Sequence, residues 1–289
     1  MGFRTLVVNS KSKIELSLNF LVVRNEDEKR IHLSEISTVI LLSTAISITA
    51  SALCELTKRK IRIIFCDEKS QPYGELMPYY LGCKNSKRIK EQMFWKQGTI
   101  DFVWKEIVKQ KILKQANLLL MNGFENKALM LNDYASNVEP GDVTNREGHA
   151  AKVYFNNIFN KGFTRSQDNF INKCLNYGYA IVLSAVNREI NSLGFLTQLG
   201  IHHCNEFNPY NLGCDLMEPF RPYVDQLAKS LKPDDDKWKH YMSDILNKHI
   251  MINDKHTTMD VAINIYVKSV TDSLCENTNL IRFPEKYEL

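Results

Sequence analysis

The sequence lacks the short motifs on which several common enzyme classes depend. It contains no glycine-rich phosphate loop, no G-x-S-x-G nucleophile elbow and no dinucleotide-binding fingerprint. Nucleotide hydrolysis, serine esterase chemistry and hydride transfer therefore have no support in the sequence. It also contains no internal repeat and no low-complexity segment.

Paired cysteines and long apolar runs are missing as well. The seven cysteines are odd in number and form no C-x-x-C pair, which argues against a disulfide framework and against a ribbon-type zinc site. No signal-peptide pattern opens the chain. The nearest approach to a membrane span, residues 36–54, is free of charge but contains seven serines and threonines. We therefore expect a cytoplasmic protein with no membrane partner.

The excess of positive charge is small overall but is unevenly distributed. The 37 basic and 33 acidic residues leave a net charge of +4, which alone does not indicate a nucleic-acid binder. Between Lys87 and Lys114, however, eight basic residues face three acidic ones, and two tryptophans lie among them. Such a stretch is either a solvated helix face or a surface for DNA phosphates. The residues expected to bind DNA are Lys87, Arg88, Lys90, Lys96 and Lys105, with Lys161 and Arg165 nearby.

The pattern of apolar residues divides the chain into two parts and predicts an α+β protein. Short strands are expected at 3–8, 14–23, 36–41 and 61–66, which are rich in aliphatic and β-branched residues. Ser47 is expected to cap a helix that reaches about Lys60. A break at Pro72 and Gly74 precedes a helical pattern from Ser86 onward. We therefore predict a small amino-terminal β-sandwich domain with one helix, residues 1–84, and a larger all-α domain, residues 85–289.

The helical part contains the groups that suggest chemistry. Residues 200–225 contain two histidines, two cysteines and four carboxylates. Upstream, Glu147 begins a helix after a loop at 137–142, and a second helix is expected over 167–199. Glu147 could also have a purely structural role. If Thr144 is the N-cap, Glu147 stands at the N3 position of a capping box. The last fifty residues also look helical.

Two kinds of metal site are compatible with these residue types. Two carboxylates with one imidazole suit Mg²⁺ or Mn²⁺. The alternative is a zinc site formed by His202, His203, Cys204 and Cys214, although it leaves the carboxylates without a role.

The order of four motifs resembles that of a known family. The motifs are REGHAAKVYF, LNYGYAI, LGIHH and DLMEPFRPYVD, and they resemble those of the CRISPR adaptation integrase, the universal spacer-acquisition subunit, in its type II form. The front of the chain resembles the amino-terminal sandwich of that family, through FRTLVVNSKSKIELSLNFLVV, HLSEISTVILLSTAISIT and IIFCDEKSQPYGELMPYY. The resemblance implies that Glu147, His203 and Glu218 are the catalytic metal ligands.

Three residues beside these ligands have open roles. Asp215 either orients a ligand, contacts a second ion or pairs with Arg221. Arg221 either forms a salt bridge with Glu218 or contacts phosphate. His202 is adjacent to His203, and neighbouring side chains on a helix or turn point about 100° apart, so both are not expected to bind one ion. We therefore treat Asp215, Arg221 and His202 as supporting residues.

The resemblance also implies a reaction and partners. The 3′-OH ends of captured double-stranded DNA fragments would be joined to the CRISPR repeat by transesterification. Two homodimers would flank a dimer of a small ferredoxin-fold adaptation subunit in a heterohexamer, and the type II effector nuclease and a DNA-end-binding accessory protein are further expected partners. The alternatives are a stand-alone metal-dependent structure-specific endonuclease in repair and a non-catalytic DNA-binding scaffold.

Overall fold

The computed structural model describes residues 4–76 and 85–285. Its amino-terminal part consists of two four-stranded sheets and one helix, α1 (Ala50–Lys58). The strands are β1 (Arg4–Val8), β2 (Ser12–Ser17), β3 (Phe20–Arg24), β4 (Glu28–His32), β5 (Ile36–Leu41), β6 (Ile46–Ile48), β7 (Arg62–Cys66) and β8 (Pro72–Glu75). One sheet has the order β1-β5-β7-β8 and the other β4-β3-β2-β6.

The two sheets and α1 share one apolar core. Ile14 and Leu21 from one sheet, Val39 and Ile63 from the other, and Leu56 from α1 are all buried in it. Strand β5 pairs in parallel with β1 and β7 and is buried along its whole length, as expected for a strand covered on both faces. The predicted sandwich with one helix is therefore confirmed.

Three local predictions in this part were wrong. The run 14–23 is an antiparallel hairpin and not one strand, because the chain turns between β2 and β3 at Leu18, whose φ is 54°. Helix α1 is capped by Thr49, whose hydroxyl accepts the N–H of Ala52 at 3.3 Å, whereas Ser47 lies in β6. The expected break at Pro72 begins β8, an edge strand, where a residue without an N–H is tolerated.

The carboxyl-terminal part is mainly helical, as predicted. Its helices are α2 (Asn85–Met93), α3 (Gln97–Met121), α4 (Glu125–Ser136), α5 (Arg146–Ile158), α6 (Phe170–Ser192), α7 (Asn211–Met217), α8 (Arg221–Ser230), α9 (Trp238–Ser243) and α10 (Met259–Glu276). Helices α3 and α6 are the longest, and α6 has more buried residues than α3 or α10. Gly178 lets α6 approach its neighbours closely, since a Cβ there would lie 2.5 Å from atoms of Val224 and Met242.

The last fifty residues are not all helical. Strands β9 (His249–Ile252) and β10 (Lys255–Thr258) form an antiparallel hairpin before α10. The two turn residues, Asn253 and Asp254, both have positive φ, 53° and 58°. Two-residue hairpin turns need this conformation, and Asn and Asp adopt it more readily than most residues. This turn was the signal that the helical interpretation overlooked.

Buried polar contacts connect the two parts. Arg62 of β7 donates to Asp260 of α10 at 2.5 Å, and Glu75 of β8 accepts from Ser184 of α6 at 2.5 Å. The predicted boundary at residue 84 falls on residues 77–84, which lie outside the described part. No helix among the described residues is long and apolar enough to cross a membrane.

Candidate active site

Glu147 lies in the first turn of α5, where two polar side chains satisfy the free backbone N–H groups. Asn145 is the N-cap and accepts the N–H of Gly148 at 3.2 Å. The carboxylate of Asp142 accepts the N–H of Glu147 at 3.0 Å. Thr144 is therefore not the cap, and Glu147 stands at N2 of the helix. The capping-box interpretation was wrong, and the side chain of Glu147 is available for other contacts.

That side chain meets a lysine from α3. Lys111 Nζ lies 2.5 Å from Glu147 Oε1 and 2.5 Å from Glu218 Oε2. The lysine side chain is only 8% exposed and that of Glu218 only 4%. One buried cation thus connects two of the three predicted ligands, which belong to different helical segments of the chain.

Glu218 lies at the junction between α7 and α8. It begins a short 3₁₀ turn, Glu218–Phe220, and its Oε1 accepts a hydrogen bond from Arg221 Nε at 2.8 Å. Burial raises the pKa of the Glu218 carboxyl, but the attraction of Arg221 and Lys111 outweighs it and holds the pKa at about 2. Glu218 is therefore ionised. Arg221 was expected either to form a salt bridge with Glu218 or to contact phosphate, and the structure shows the salt bridge.

His203 lies in the loop between α6 and α7 and is held by Asp215. Helix α6 ends at Ser192, which is earlier than predicted. The fully buried carboxylate of Asp215 accepts the backbone N–H groups of Ile201, His202 and His203 and lies 2.5 Å from Nδ1 of His203. The hydrogen bond to Asp215 raises the pKa of His203, burial opposes it, and the charges of Glu218 and Glu147 raise it further.

The glycine of the LGIHH motif makes this arrangement possible. A Cβ on Gly200 would lie 2.3 Å from the carbonyl oxygen of His203 and 2.7 Å from Oδ2 of Asp215. Any other residue would push the loop away from Asp215. Both oxygens of Asp215 are occupied by the loop, so the structure favours the orienting role for this residue over a pair with Arg221 or contact with a second ion.

His202 points to a different environment. Its ring stacks on the buried ring of Trp104 with 4.2 Å between centroids and 8° between planes, and it stands at 89° to the ring of His203. The thiol of Cys214 accepts a hydrogen bond from Nδ2 of Asn208 at 3.5 Å. Among the described residues, no three His, Cys, Asp or Glu side chains are grouped closely enough to hold a metal ion, and this applies to the zinc set and to Glu147, His203 and Glu218 alike. The stacking of His202 on Trp104 and the contact of Cys214 with Asn208 give the zinc alternative no further support.

The carboxylates nevertheless fit a hard cation. Oε2 of Glu218 is buried and has no hydrogen-bond donor among the described residues; Lys111 faces it as an ion pair outside hydrogen-bond geometry. Such an oxygen is suited to a cation. With its Nδ1 directed at Asp215, His203 has Nε2 as the remaining nitrogen for a ligand bond. Two acids that already share a positive charge and one oriented imidazole match the donors that Mn²⁺ or Mg²⁺ accepts.

A polar cluster that the sequence did not reveal adjoins Arg221. The hydroxyl groups of Tyr154 and Tyr179 both donate to Asp225, and burial raises the pKa of Asp225 to about 6 although both hydrogen bonds oppose this. The guanidinium groups of Arg221 and Arg165 lie 4.6 and 5.2 Å from the centroid of the Tyr179 ring. The LNYGYAI motif therefore supports the position of Arg221 through Tyr179.

The predicted DNA-binding residues are divided among several elements. Lys87, Lys90 and Lys96, on or just after α2, are exposed. Arg88 pairs with Glu91 at 2.9 Å, and Lys87 lies 3.6 Å from the same carboxylate. The others are Lys105 on α3, which is half-buried, and Lys161 and Arg165 in the loop after α5. Arg165 also donates to Asn176 of α6 at 2.5 Å.

Lys111 and Lys114 were counted in the same basic stretch, but Lys111 is buried and Lys114 is half-buried. Burial lowers the pKa of Lys114 to about 7, against a weaker opposing effect of Glu285. Lys111 lies on the buried face of α3 with Ile107 and Gln115, at a spacing of four residues. This spacing was the available signal that Lys111 is not a surface lysine.

Comparisons with known proteins agree with this fold. The sequence profile of the family described as "CRISPR associated protein Cas1" matches residues 6–256. The chain is 31% identical over 300 residues to a CRISPR-associated endonuclease Cas1 of Neisseria meningitidis, which covers 99% of this chain and 97% of the relative. A second relative so named, from Francisella tularensis subsp. novicida, is 25% identical and covers 83% and 81%.

Three solved structures share the fold. A CAS1 protein from Thermotoga maritima superposes with a TM-score of 0.78 at 16% identity, covering 99% of this chain and 100% of that one. A casposase bound to integration product gives a TM-score of 0.77 at 20% identity, covering 96% and 92%. A chain of a Cas6-RT-Cas1–Cas2 complex gives 0.75 at 19% identity, covering 96% of this chain and 35% of that one.

Proposed function

The chain belongs to the CRISPR-associated Cas1 family, and we propose on this basis that it is a metal-dependent DNA integrase of CRISPR adaptation. The observation that carries the proposal is the convergence of Glu147 and Glu218 on one buried cation, together with a histidine that Asp215 holds in a fixed orientation. Glu147, His203 and Glu218 would hold Mg²⁺ or Mn²⁺. When bound, the ion stabilises the negative charge that develops on the phosphate under attack.

The proposed reaction is a transesterification. The 3′ oxygen of a captured DNA fragment forms a bond to a phosphorus atom of the repeat, and the bond from that phosphorus to the 3′ oxygen of the repeat strand breaks. The proton leaves the attacking hydroxyl, and the departing oxygen becomes a new 3′-OH. The protein supplies no covalent nucleophile, so its side chains serve to bind the ion and to orient the phosphate.

The neighbouring side chains have supporting roles in this proposal. Asp215 orients His203, and Arg221 keeps Glu218 ionised and in place. The ring of Tyr179 packs against the guanidinium of Arg221 and so helps to hold it in place. The structural likeness to a casposase described as bound to integration product supports strand joining, whereas the curated relatives are named endonucleases. In a stand-alone structure-specific nuclease, which is the second candidate function, water would replace the 3′-OH.

We further propose that the protein acts as a homodimer with a small ferredoxin-fold subunit. One active site joins one strand end, so insertion at both sides of a repeat needs two sites held apart by roughly the length of the fragment, about 3.4 Å per base pair. Structures described as Cas6-RT-Cas1–Cas2 complexes share the fold of this chain and support such an assembly. A heterohexamer would bind the fragment and the repeat, with the type II effector nuclease and a DNA-end-binding protein as further partners.

An integration assay with a supercoiled repeat plasmid tests this function. With Mn²⁺ and a short duplex fragment, the chain alone should nick the plasmid or join one strand end, and full-site insertion should need the ferredoxin-fold partner. Sequencing the junctions identifies the joined ends. Efficient full-site insertion by the chain alone would contradict the assembly. Hydrolysis of branched DNA without any joining, with or without the partner, would favour the stand-alone nuclease.

The exposed lysines near α2 should bind DNA phosphates without sequence preference. Replacing Lys87, Lys90 and Lys96 together by glutamine should weaken fragment binding and reduce the slope of log affinity against log salt by about one per lost contact. The control replaces three exposed lysines of the amino-terminal part, Lys11, Lys29 and Lys58, which changes the net charge equally. Affinity and slope that are the same in both triple variants would show that the face near α2 is only solvated.

A further inference from the structure

Lys111 occupies a position that none of the proposed roles explains. It is on the buried face of α3, and its ammonium forms ion pairs with the two acids that are expected to bind a divalent ion. A lysine is an expensive residue to bury, because its charge loses the solvation that water provides. Its Nζ lies 2.5 Å from a carboxylate oxygen of Glu147 and 2.5 Å from one of Glu218, so two opposite charges compensate the charge of the ammonium.

The charges of the four groups around the Lys111 ammonium balance without any bound ion, while the carboxylate of Asp215 is held separately by the loop of His203. Two carboxylates, Glu147 and Glu218, face two cations, Lys111 and Arg221. The oxygens of the two acids are each 2.5 Å from the same nitrogen, and so lie within about twice that distance of each other. Carboxylates so close in a buried place repel each other unless a cation lies between them. A divalent ion added to this arrangement would leave an uncompensated charge of two.

We propose that Lys111 is a tethered counter-cation, whose ammonium occupies the place of the divalent ion between Glu147 and Glu218 and must leave for the ion to bind. The inference rests on the ion site of the proposed function and extends it to the ion-free protein. An ion bound to the same oxygens at about 2.1 Å leaves no room for an ammonium between them, and the two cations repel each other. The flexible four-carbon stem of lysine permits the displacement.

The measured ion affinity therefore reflects a competition. It is set by the free energy with which the divalent ion binds the two acids, minus the free energy with which the Lys111 ammonium binds them. The lysine keeps the acids together and the fold intact when no ion is present, and it weakens ion binding by the free energy needed to displace it. Removing its charge should have opposite effects on the two states. The ion-free protein should become less stable, and the ion should bind more tightly.

Isothermal titration of the full chain with Mn²⁺ alone, without DNA, tests this inference. Lys111→Met retains the length of the side chain and removes its charge, and we expect its Mn²⁺ affinity to rise at least tenfold. Its melting temperature in EDTA should fall, and the increase on adding Mn²⁺ should exceed that of the wild type. Lys114→Met, one turn further along α3 beside Tyr223, is the matched control and should stay within twofold of the wild-type affinity.

Lys111→Gln provides a second variant, because its amide can still donate to a carboxylate and so supports folding. Variants that fold only with Mn²⁺ present would support the proposal. Folded variants with unchanged or weaker Mn²⁺ affinity would overturn it and leave the ion site in place, and variants that fail to fold with and without Mn²⁺ would show that the lysine is a structural residue. If neither the wild type nor the folded variants bind Mn²⁺, the ion site itself is wrong, and the inference with it.

Discussion

Glu147→Gln, His203→Ala and Glu218→Gln should each reduce Mn²⁺-dependent strand transfer by at least about 100-fold. Each variant loses one of only three proposed protein ligands. Lewis-acid stabilisation is worth several kcal/mol, and a tenfold change in rate corresponds to about 1.4 kcal/mol. Strand transfer is measured on a labelled fragment and a repeat plasmid at saturating Mn²⁺. Fragment binding should survive in all three, because the proposed phosphate contacts are elsewhere.

Two matched variants serve as controls for these substitutions. His202→Ala removes the neighbouring histidine, which stacks on Trp104, and should retain far more activity than His203→Ala. Glu139→Gln removes an exposed carboxylate from the loop before α5 and should be close to the wild type. Melting curves identify variants that have lost the fold. A folded variant of Glu147, His203 or Glu218 with full activity would remove that residue from the site.

Asp215→Asn should reduce ion affinity by about 10- to 100-fold, which is the usual effect of removing the partner that orients a histidine ligand. The carboxylate accepts from Nδ1 and three backbone N–H groups. An asparagine retains one acceptor oxygen but presents an NH₂ group, so it favours the wrong tautomer of the ring. Titration with Mn²⁺ gives the affinity directly, without reference to strand transfer.

The pKa of the His203 imidazole can be measured as well, and a general loss of stability would not change it. Asp215 raises the pKa of His203, so in Asp215→Asn this pKa should fall when measured by NMR on the ion-free protein. Protons should then compete with the ion only at lower pH. Asp142→Asn, which removes another buried carboxylate that accepts backbone N–H groups, should leave the pKa of His203 as it was. An unchanged His203 pKa in Asp215→Asn would contradict the orienting role.

The division into a β-rich and a helical part could be predicted from the sequence, because it follows from residue spacing. Strand β5 is a short continuous apolar run, which is typical of a strand covered on both faces. Helices α3 and α6 have apolar residues that recur at helical spacing. The errors occurred where a local signal competes with a periodic one. The turn at Leu18 interrupts an apolar run that otherwise looks like one strand, and Asn253 and Asp254 form a hairpin inside a segment with helical composition.

The site could be predicted only in part from the sequence. The motifs suggested Glu147, His203 and Glu218, but their order along the chain gives no distances, and the bond between Asp215 and His203 depends on the path of the loop after α6. Lys111 was the largest omission. Its charge placed it with the surface lysines, whereas its position on α3 placed it in the core, and only the folded chain shows that two acids compensate its charge.

A diffraction experiment on crystals soaked in Mn²⁺ tests the central claim most directly. Anomalous scattering locates the ion without relying on activity or on neighbouring density. One strong peak within about 2.0 to 2.3 Å of a carboxylate oxygen of Glu147, a carboxylate oxygen of Glu218 and Nε2 of His203 is the predicted result, with the Lys111 ammonium moved out from between the acids. A fully soaked crystal with no peak there, or with Lys111 still bridging the two carboxylates, would contradict it.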